Sequence, residues 1–243
     1  MKSKKDRIPL KIILLASAML LPASLSALDP PASTVNPLNG YIETADTLSQ
    51  GGTYNIRHAA NPGGGEPMVV TMVSTDTADE YGARIVNNPA GDTYVAWWRD
   101  LATDEVRIRT RNQATGSWGS ATQVSDSGTG SRKPELVHDG DDLWVAFEGD
   151  GGPGEVDIIV RTIRDDPVPV LILGTTTFTG DIDIRMHLET GHFWISWVDD
   201  DCAVGWSEYD GTSESWSVAA YESCDSDSVG DARGRIRTEL LGS

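Results

Sequence analysis

The chain has 243 residues and carries 37 acidic against 19 basic side chains, a formal net charge of −18 at pH 7. So acidic a surface repels nucleic acid and anionic lipid, and it favours solubility, cationic partners or Ca²⁺. Many glycines and tryptophans, short alternating apolar runs and very little helical periodicity indicate an all-β fold.

Residues 1–27 have the layout of a secretory signal peptide. Basic residues precede an apolar stretch from Ile12 to Leu21, and small residues follow it, so cleavage is expected after Ser26 or Ala27. The alternative is a segment that is retained as a membrane anchor; no later stretch is long and apolar enough to span a bilayer. We therefore predict a periplasmic or secreted protein, membrane-associated if the segment is retained. Residues 28–38 are expected to form a linker and residues 39–243 the folded domain.

One strand pattern recurs at a spacing of 50 residues, in "GDTYVAWWRD" (91–100), "DDLWVAFEGD" (141–150) and "GHFWISWVDD" (191–200). In each copy a short strand comes before this segment and two strands follow it, separated by turns. A four-stranded meander leaves bare edges and an unburied face, so copies must stack on one another. A fixed period of this length in an all-β chain predicts a β-propeller.

The two chain ends supply a further unit of the propeller. Residues 53–76 are expected to form its third and fourth strands, and residues 39–45 the strand before them. The C-terminal segment 234–241 resembles a first strand, since Ile236 follows Met186 by 50 residues. We expect about four blades of four antiparallel strands, with the C-terminal strand closing the first blade. An incomplete ring that pairs with a second copy is the alternative.

The two cysteines are placed to form a disulfide. Cys202 and Cys224 lie symmetrically about the turn expected at Thr212-Ser213, so a hairpin sets them opposite each other. An exported protein matures in an oxidising compartment, and closing a loop of this size contributes about 3 kcal/mol in the chain-entropy model.

The segments "PAGDTYVAWWRD" and "TGHFWISWVDD", each followed by a polar hairpin that ends in Ser-Trp, resemble neuraminidase-type repeats, also called Asp-box propellers. The resemblance covers residues 83–240. The Asp-box itself is not intact, because residues 111–118 and 209–216 keep the Trp and a nearby Gly but lack Asp and Ser at the proper offsets. The resemblance therefore supports the fold more than an activity.

The resemblance to sialidases implies three arginines that clamp a carboxylate. Arg84, Arg185 and Arg235 fall near the starts of predicted inner strands, where they could converge on one anion. The alternative is that each pairs with a nearby Asp or Glu. Trp98 has no aromatic counterpart in the other copies; it marks either a contact for a sugar or partner, or packing at the rim.

No metal or catalytic residue is assigned, and no cofactor is predicted. His187 and His192 flank a predicted turn, which is a weak pattern for copper or zinc. Asp139 and Asp141 lie in an acidic loop whose oxygens suit Ca²⁺, but the loop does not follow the EF-hand pattern. The chain contains no nucleophile elbow, Walker loop, dinucleotide fingerprint or His-Glu-x-x-His motif.

A regular strand repeat without a recognisable set of catalytic residues favours an exported, non-catalytic propeller. Such a protein would be a binding or assembly module that docks on a protein partner or a surface glycan, or an accessory subunit on the outer face of a membrane complex. The alternative is a sialidase-like hydrolase or an acidic-glycan-binding lectin that uses Arg84, Arg185 and Arg235.

Overall fold

The computed structural model describes residues 31–128, 130–152, 155–163, 171–176, 178–186, 193–199, 204–210, 215–217 and 220–222. Several predictions of the sequence fall outside these residues and stay predictions: the signal segment 1–27, the Cys202–Cys224 disulfide, His187, His192 and Arg235. None of the described residues belongs to a helix long and apolar enough to cross a membrane.

The described strands form four antiparallel sheets, each built mainly from strands that follow one another in the chain. Sheet 1 contains β1 (Ala32–Val35), β2 (Ile42–Gln50), β3 (Thr53–Asn61) and β4 (Val69–Met72); sheet 2 contains β5 (Asp79–Asn87), β6 (Thr93–Asp100), β7 (Glu105–Arg111) and β8 (Thr122–Gln123). Sheet 3 contains β9 (Arg132–His138), β10 (Leu143–Gly152), β11 (Glu155–Ile163) and β12 (Leu171–Thr176). Sheet 4 contains β13 (Phe178–Met186), β14 (Phe193–Asp199), β15 (Val204–Asp210), β16 (Ser215–Trp216) and β17 (Ala220–Glu222), of which β16 and β17 both pair with β15. The predicted all-β, antiparallel architecture is confirmed.

The recurring segment is the second strand of sheets 2, 3 and 4. Trp97, Phe147 and Trp197 occupy the same position in it, and each is at most 1% exposed. Each of these side chains packs in a cluster with residues of the preceding sheet, because successive side chains of a strand point to opposite faces. The core therefore consists of apolar layers between consecutive sheets, which is why a single meander could not be stable alone.

The first strand of sheet 1 differs from the prediction. We expected residues 234–241 to supply this strand, but β1 pairs with the edge of β2 that lies away from β3. Residues 234–241 lie outside the described residues, so closure of the first blade by the C-terminal strand stays a prediction. β1 lies within the expected linker 28–38, and its turn to β2 is closed by hydrogen bonds from Asn36 N to Tyr41 O at 2.9 Å and from Gly40 N to Asn36 O at 2.8 Å.

Gly205 in β15 makes room for the buried indole of Trp197, and a substitution tests this packing. An alanine Cβ at Gly205 would lie 2.6 Å from Nε1 of Trp197, well inside contact distance. Gly205→Ala should therefore lower the free energy of unfolding by about 1–3 kcal/mol, measured by urea denaturation. Gly130→Ala is the matched control, since a Cβ added at Gly130 would have no atom within 4 Å. Equal stability of the two variants would contradict this packing.

Candidate functional site

A cavity of about 330 Å³ lies where the chain passes from sheet 1 to sheet 2. The loop after β4 leads into the start of β5. Because the strands are antiparallel, the end of β6 and the start of β7 lie at the same end of sheet 2 as the start of β5. The cavity is lined by the following residues: Val73, Ser74, Thr75, Asp76, Thr77, Glu80, Trp97, Arg107, Arg109 and Ala121. Charged side chains of both signs thus meet at one concave site.

Glu80 is the buried carboxylic acid of this cavity, with 1% exposure. Its Oε1 accepts a hydrogen bond from Nε1 of Trp97 at 2.8 Å, and its Oε2 accepts one from the hydroxyl of Ser74. Burial raises the pKa of Glu80, and the two hydrogen bonds and the charge of Arg99 only partly offset that rise. Of the two carboxyl groups that line this cavity, Glu80 is therefore the one that holds a proton more readily.

Asp76 is the second carboxylate of the cavity, and it is more exposed than Glu80. Partial burial raises its pKa, but the backbone N–H of Thr77 and the charges of Arg99 and Arg107 outweigh this, so the pKa of Asp76 lies below its ordinary value. Arg99 Nη2 lies 2.8 Å from Oδ2 of Asp76, and Arg99 Nε lies 4.0 Å from Oε1 of Glu80. One guanidinium thus holds both carboxylates near each other.

Two arginines on β7 complete the charged lining. Arg109 donates from Nε to the carbonyl oxygen of Gly119 at 2.6 Å and from Nη1 to the carbonyl oxygen of Val73, and its guanidinium lies over Trp118. Arg107 Nη2 lies 3.4 Å from Oε1 of Glu105. Since Arg107 and Arg109 are two residues apart on one strand, both side chains point to the same face, toward sheet 1.

This arrangement has the parts of an acid–base site. Glu80 and Asp76 differ in environment: burial raises the pKa of Glu80, whereas a backbone hydrogen bond and the arginine charges lower the pKa of Asp76. Two carboxyl groups with pKa values pushed apart are the arrangement that glycoside hydrolysis uses, one as acid and the other as base or nucleophile. The cavity volume is at the small end of the range for ligand pockets and suits a single sugar ring.

A second buried carboxylate, Glu43, has a structural role. Its Oε1 accepts from Nδ2 of Asn36 at 3.0 Å; its Oε2 accepts from Oγ1 of Thr93 at 2.7 Å and from Nδ2 of Asn87 at 3.3 Å, and lies 3.2 Å from Nε2 of His58. Burial raises the pKa of Glu43, but the hydrogen bonds of His58, Thr93 and Asn36 outweigh it and lower the pKa to about 2. Glu43 is 0% exposed and is not among the residues that line the cavity, so this paired carboxylate joins sheets 1 and 2.

The predicted arginine clamp lies elsewhere in the fold. Arg84 Nε is 2.5 Å from Oε1 of Glu135, so this arginine already has a carboxylate partner on the next sheet. Arg84 is in register with Ala96, whereas Arg185 is in register with Trp194, so the two occupy positions offset by two residues in their sheets. Arg235 lies outside the described residues. Their convergence on one anion stays a prediction, and the charged cavity does not depend on it.

The remaining candidates have local contacts. Trp98 is partly buried; its ring lies 5.1 Å from that of Tyr81, and the guanidinium of Arg132 lies 6.0 Å from the indole centroid. Asp139 closes the turn before β10 by accepting from the backbone N–H of Asp141 at 2.8 Å, and it also accepts from Nε1 of Trp144 at 2.9 Å. Among the residues that the structure describes, no three His, Cys, Asp or Glu side chains are grouped closely enough to hold a metal ion.

The sequence did not single out Glu80, Asp76, Arg107 or Arg109. One signal was available: Arg107 is in register with Trp97, and the corresponding residue of the next sheet, in register with Phe147, is Ile159. A charged residue at a position that is apolar in the next copy departs from the repeat, and such departures point to function rather than packing.

No family model matches the chain, and no curated protein is significantly similar in sequence. Solved structures do share its fold. A Hadza microbial sialidase superposes with a TM-score of 0.57 at 11% identity, over 77% of this chain and 45% of the sialidase, so the chain spans less than half of that protein. The endo-arabinase of Bacteroides thetaiotaomicron gives 0.55 at 12% identity, over 83% and 82%. The GH43_1 enzyme of Xanthomonas citri, complexed with xylotriose, gives 0.53 at 12% identity, over 82% and 76%.

These likenesses show a propeller fold of the kind found in sialidases and family-43 enzymes, and they correct the functional prediction. The expected non-catalytic binding or assembly module is wrong as the leading interpretation, because the structures that share this fold are glycoside hydrolases. The prediction that the chain is not an enzyme is corrected for the same reason. Since no family model matches, the degenerate Asp-box repeats stay a prediction.

Proposed function

We propose that the chain is a glycoside hydrolase whose reaction takes place in the cavity between sheets 1 and 2. Glu80 is the general acid that protonates the leaving oxygen, and Asp76 is the carboxylate that activates water or attacks the anomeric carbon. The four sheets are the blades of one propeller, and the two carboxylates lie four residues apart, Asp76 in the loop after β4 and Glu80 at the start of β5. The single observation that carries the proposal is the pairing of two carboxyl groups through Arg99 at the wall of this cavity.

Arg99 has a positioning role in this proposal. It contacts Asp76 at 2.8 Å and Glu105 at 2.7 Å, and its side chain is 12% exposed, so it is held firmly between them. Its charge keeps Asp76 ionised, while the greater burial of Glu80 lets that group remain a proton donor. Acid and base therefore keep separate roles at one pH.

The pH dependence of turnover tests this assignment. Activity should fall at high pH as Glu80 loses its proton, with an apparent pKa above the ordinary Glu value of 4.5, because burial disfavours the charged form. It should fall at low pH as Asp76 becomes protonated, with an apparent pKa below 3.8. The measurement is initial-rate release of 4-nitrophenol from a panel of neutral and anionic aryl glycosides between about pH 2.5 and 8. Binding of sugars without turnover of any of them would indicate a lectin and contradict the proposal.

A further inference from the structure

We infer that the cavity selects a sugar that carries a carboxylate, and that Arg109 is the residue that recognises it. This inference rests on the proposed function and adds the class of substrate, a uronic acid. It comes from comparing the cavity with the corresponding place between sheets 2 and 3, where the same backbone pattern recurs with one change of charge.

Arg109 and Arg161 are counterparts in the repeat. Arg109 is in register with Val95 on β6, and Arg161 is in register with Val145 on β10, one period later. Each arginine donates from Nη1 to a backbone carbonyl of the preceding sheet: Arg109 to that of Val73, and Arg161 to that of Val124 at 2.6 Å. The two guanidinium groups are thus anchored in the same way.

The residues at the ends of the preceding sheets are also counterparts. Val73 N donates to Ile56 O and Val124 N donates to Val106 O; Ser74 Oγ accepts from Ile56 N, as Ser125 Oγ accepts from Val106 N. The residue after the serine is therefore equivalent in the two places. It is Thr75 before sheet 2 and Asp126 before sheet 3.

This single difference decides whether the arginine has a carboxylate partner. Arg161 Nη2 lies 2.5 Å from Oδ2 of Asp126, which neutralises it. Arg109 has the neutral Thr75 at that place, and within the described part of the chain no ion pair of Arg109 is found. In a protein with a net charge of −18, a cation that keeps its repeat position but lacks its acidic partner is an unusual feature. That cation lines the cavity.

Arg107 adds to the positive potential on the same face of β7. Its Nε is buried and has no hydrogen-bond partner among the described residues, and Arg107 also lies close enough to Asp76 to lower the pKa of that carboxyl. Arg109 still has N–H donors on Nη1 and Nη2 beyond its two backbone bonds, the fork that binds a carboxylate with two parallel hydrogen bonds. A carboxylate on the sugar would therefore occupy the place that Asp126 takes beside Arg161.

Titration calorimetry of the full chain with D-glucuronate and D-glucose tests the inference. We expect glucuronate to bind at least about tenfold more tightly than glucose, as a charge-assisted pair at a partly buried site allows. Arg109→Gln should remove this preference. Thr75→Asp should remove it as well, because it supplies the carboxylate that Arg161 has, whereas the uncharged variant Thr75→Asn should retain it. Arg161→Gln, the matched control, should also retain it, and thermal melts establish that each variant is folded.

The outcomes separate the inference from the proposed function. Equal affinity for the two sugars, binding of neither, or the same loss in Arg161→Gln as in Arg109→Gln would overturn carboxylate recognition. Turnover of neutral aryl glycosides alone, without a glucuronate preference, would overturn the inference and leave the hydrolase proposal standing. Glucuronate binding that depends on Arg109, without turnover of any glycoside, would support the inference while contradicting catalysis.

Discussion

Replacing Glu80 with glutamine should slow turnover of the preferred glycoside by about 10²–10⁴-fold, because the variant has no proton to give to the leaving oxygen. The amide keeps the size of the side chain and can still accept the hydrogen bond of Trp97, so the cavity should keep its shape. The basic limb of the pH profile should disappear in the residual activity. Initial rates for the wild type and the variant on the same aryl glycoside measure the effect.

The control is Glu66→Gln, which makes the same chemical change on an exposed loop between β3 and β4. It should leave the rate unchanged. A Glu80→Gln protein that is folded and keeps more than a tenth of the wild-type rate would show that Glu80 is not the acid.

The second large effect is on stability. Glu43→Ala should lower the free energy of unfolding by about 3–5 kcal/mol, since it leaves the partners of a buried charged group unpaired. Thr93 and Asn87 of sheet 2 and Asn36 and His58 of sheet 1 would each lose their bond to the carboxylate. Urea denaturation at pH 7 measures the loss, and a variant as stable as Glu66→Gln would contradict the role given to this network.

The same carboxylate makes stability depend on pH. Its pKa is about 2 in the folded chain against 4.5 for an ordinary Glu, so ionised Glu43 stabilises the fold by about 3 kcal/mol above pH 4.5. That contribution is lost as the pH falls from 4.5 toward 2, because the unfolded chain takes up the proton first. Glu43→Gln should lack this part of the dependence, so the difference in unfolding free energy between the wild type and the variant should shrink over that range. A constant difference would show that the carboxylate titrates normally.

Much of the fold could be predicted because the repeated positions carry large apolar residues. Trp97, Phe147 and Trp197 recur at fixed spacing, and only stacked sheets can bury so regular a pattern. β1 could not be predicted in the same way. It is only four residues long, and its turn depends on Asn36, whose Nδ2 donates to the carbonyl oxygen of Gly91, 55 residues away. Contacts of that range leave no local pattern.

The site was harder to predict than the fold, for a physical reason. Arg84 lies on the first strand of sheet 2, but Glu135, which neutralises it, follows 51 residues later on another sheet. The protonation of Glu80 is set in part by Ser74 and Trp97, which lie on separate segments. With 37 acidic residues in the chain, only the folded arrangement distinguishes these two carboxylates from the rest.

The absence of a recognisable catalytic motif in the sequence also led to the prediction of a non-catalytic protein. Acid–base catalysis by two carboxylates needs a distance and a difference in environment, and neither constrains the neighbouring sequence as a phosphate-binding loop does. Asp76 and Glu80 lie in an ordinary polar loop and at the start of a strand. The incomplete Asp-box therefore argues against one kind of enzyme and not against hydrolysis in general.

The most direct test of acid catalysis by Glu80 compares substrates that differ only in their leaving group. A 2,4-dinitrophenyl glycoside departs without protonation, whereas the corresponding phenyl glycoside needs an acid. The ratio of wild-type to Glu80→Gln kcat/KM, which reports cleavage of the glycosidic bond whether Asp76 activates water or attacks directly, should be at least about 100 for the phenyl glycoside and should fall close to one for the dinitrophenyl glycoside. The same ratio for both substrates, or no turnover of either by the wild type, would contradict the mechanism.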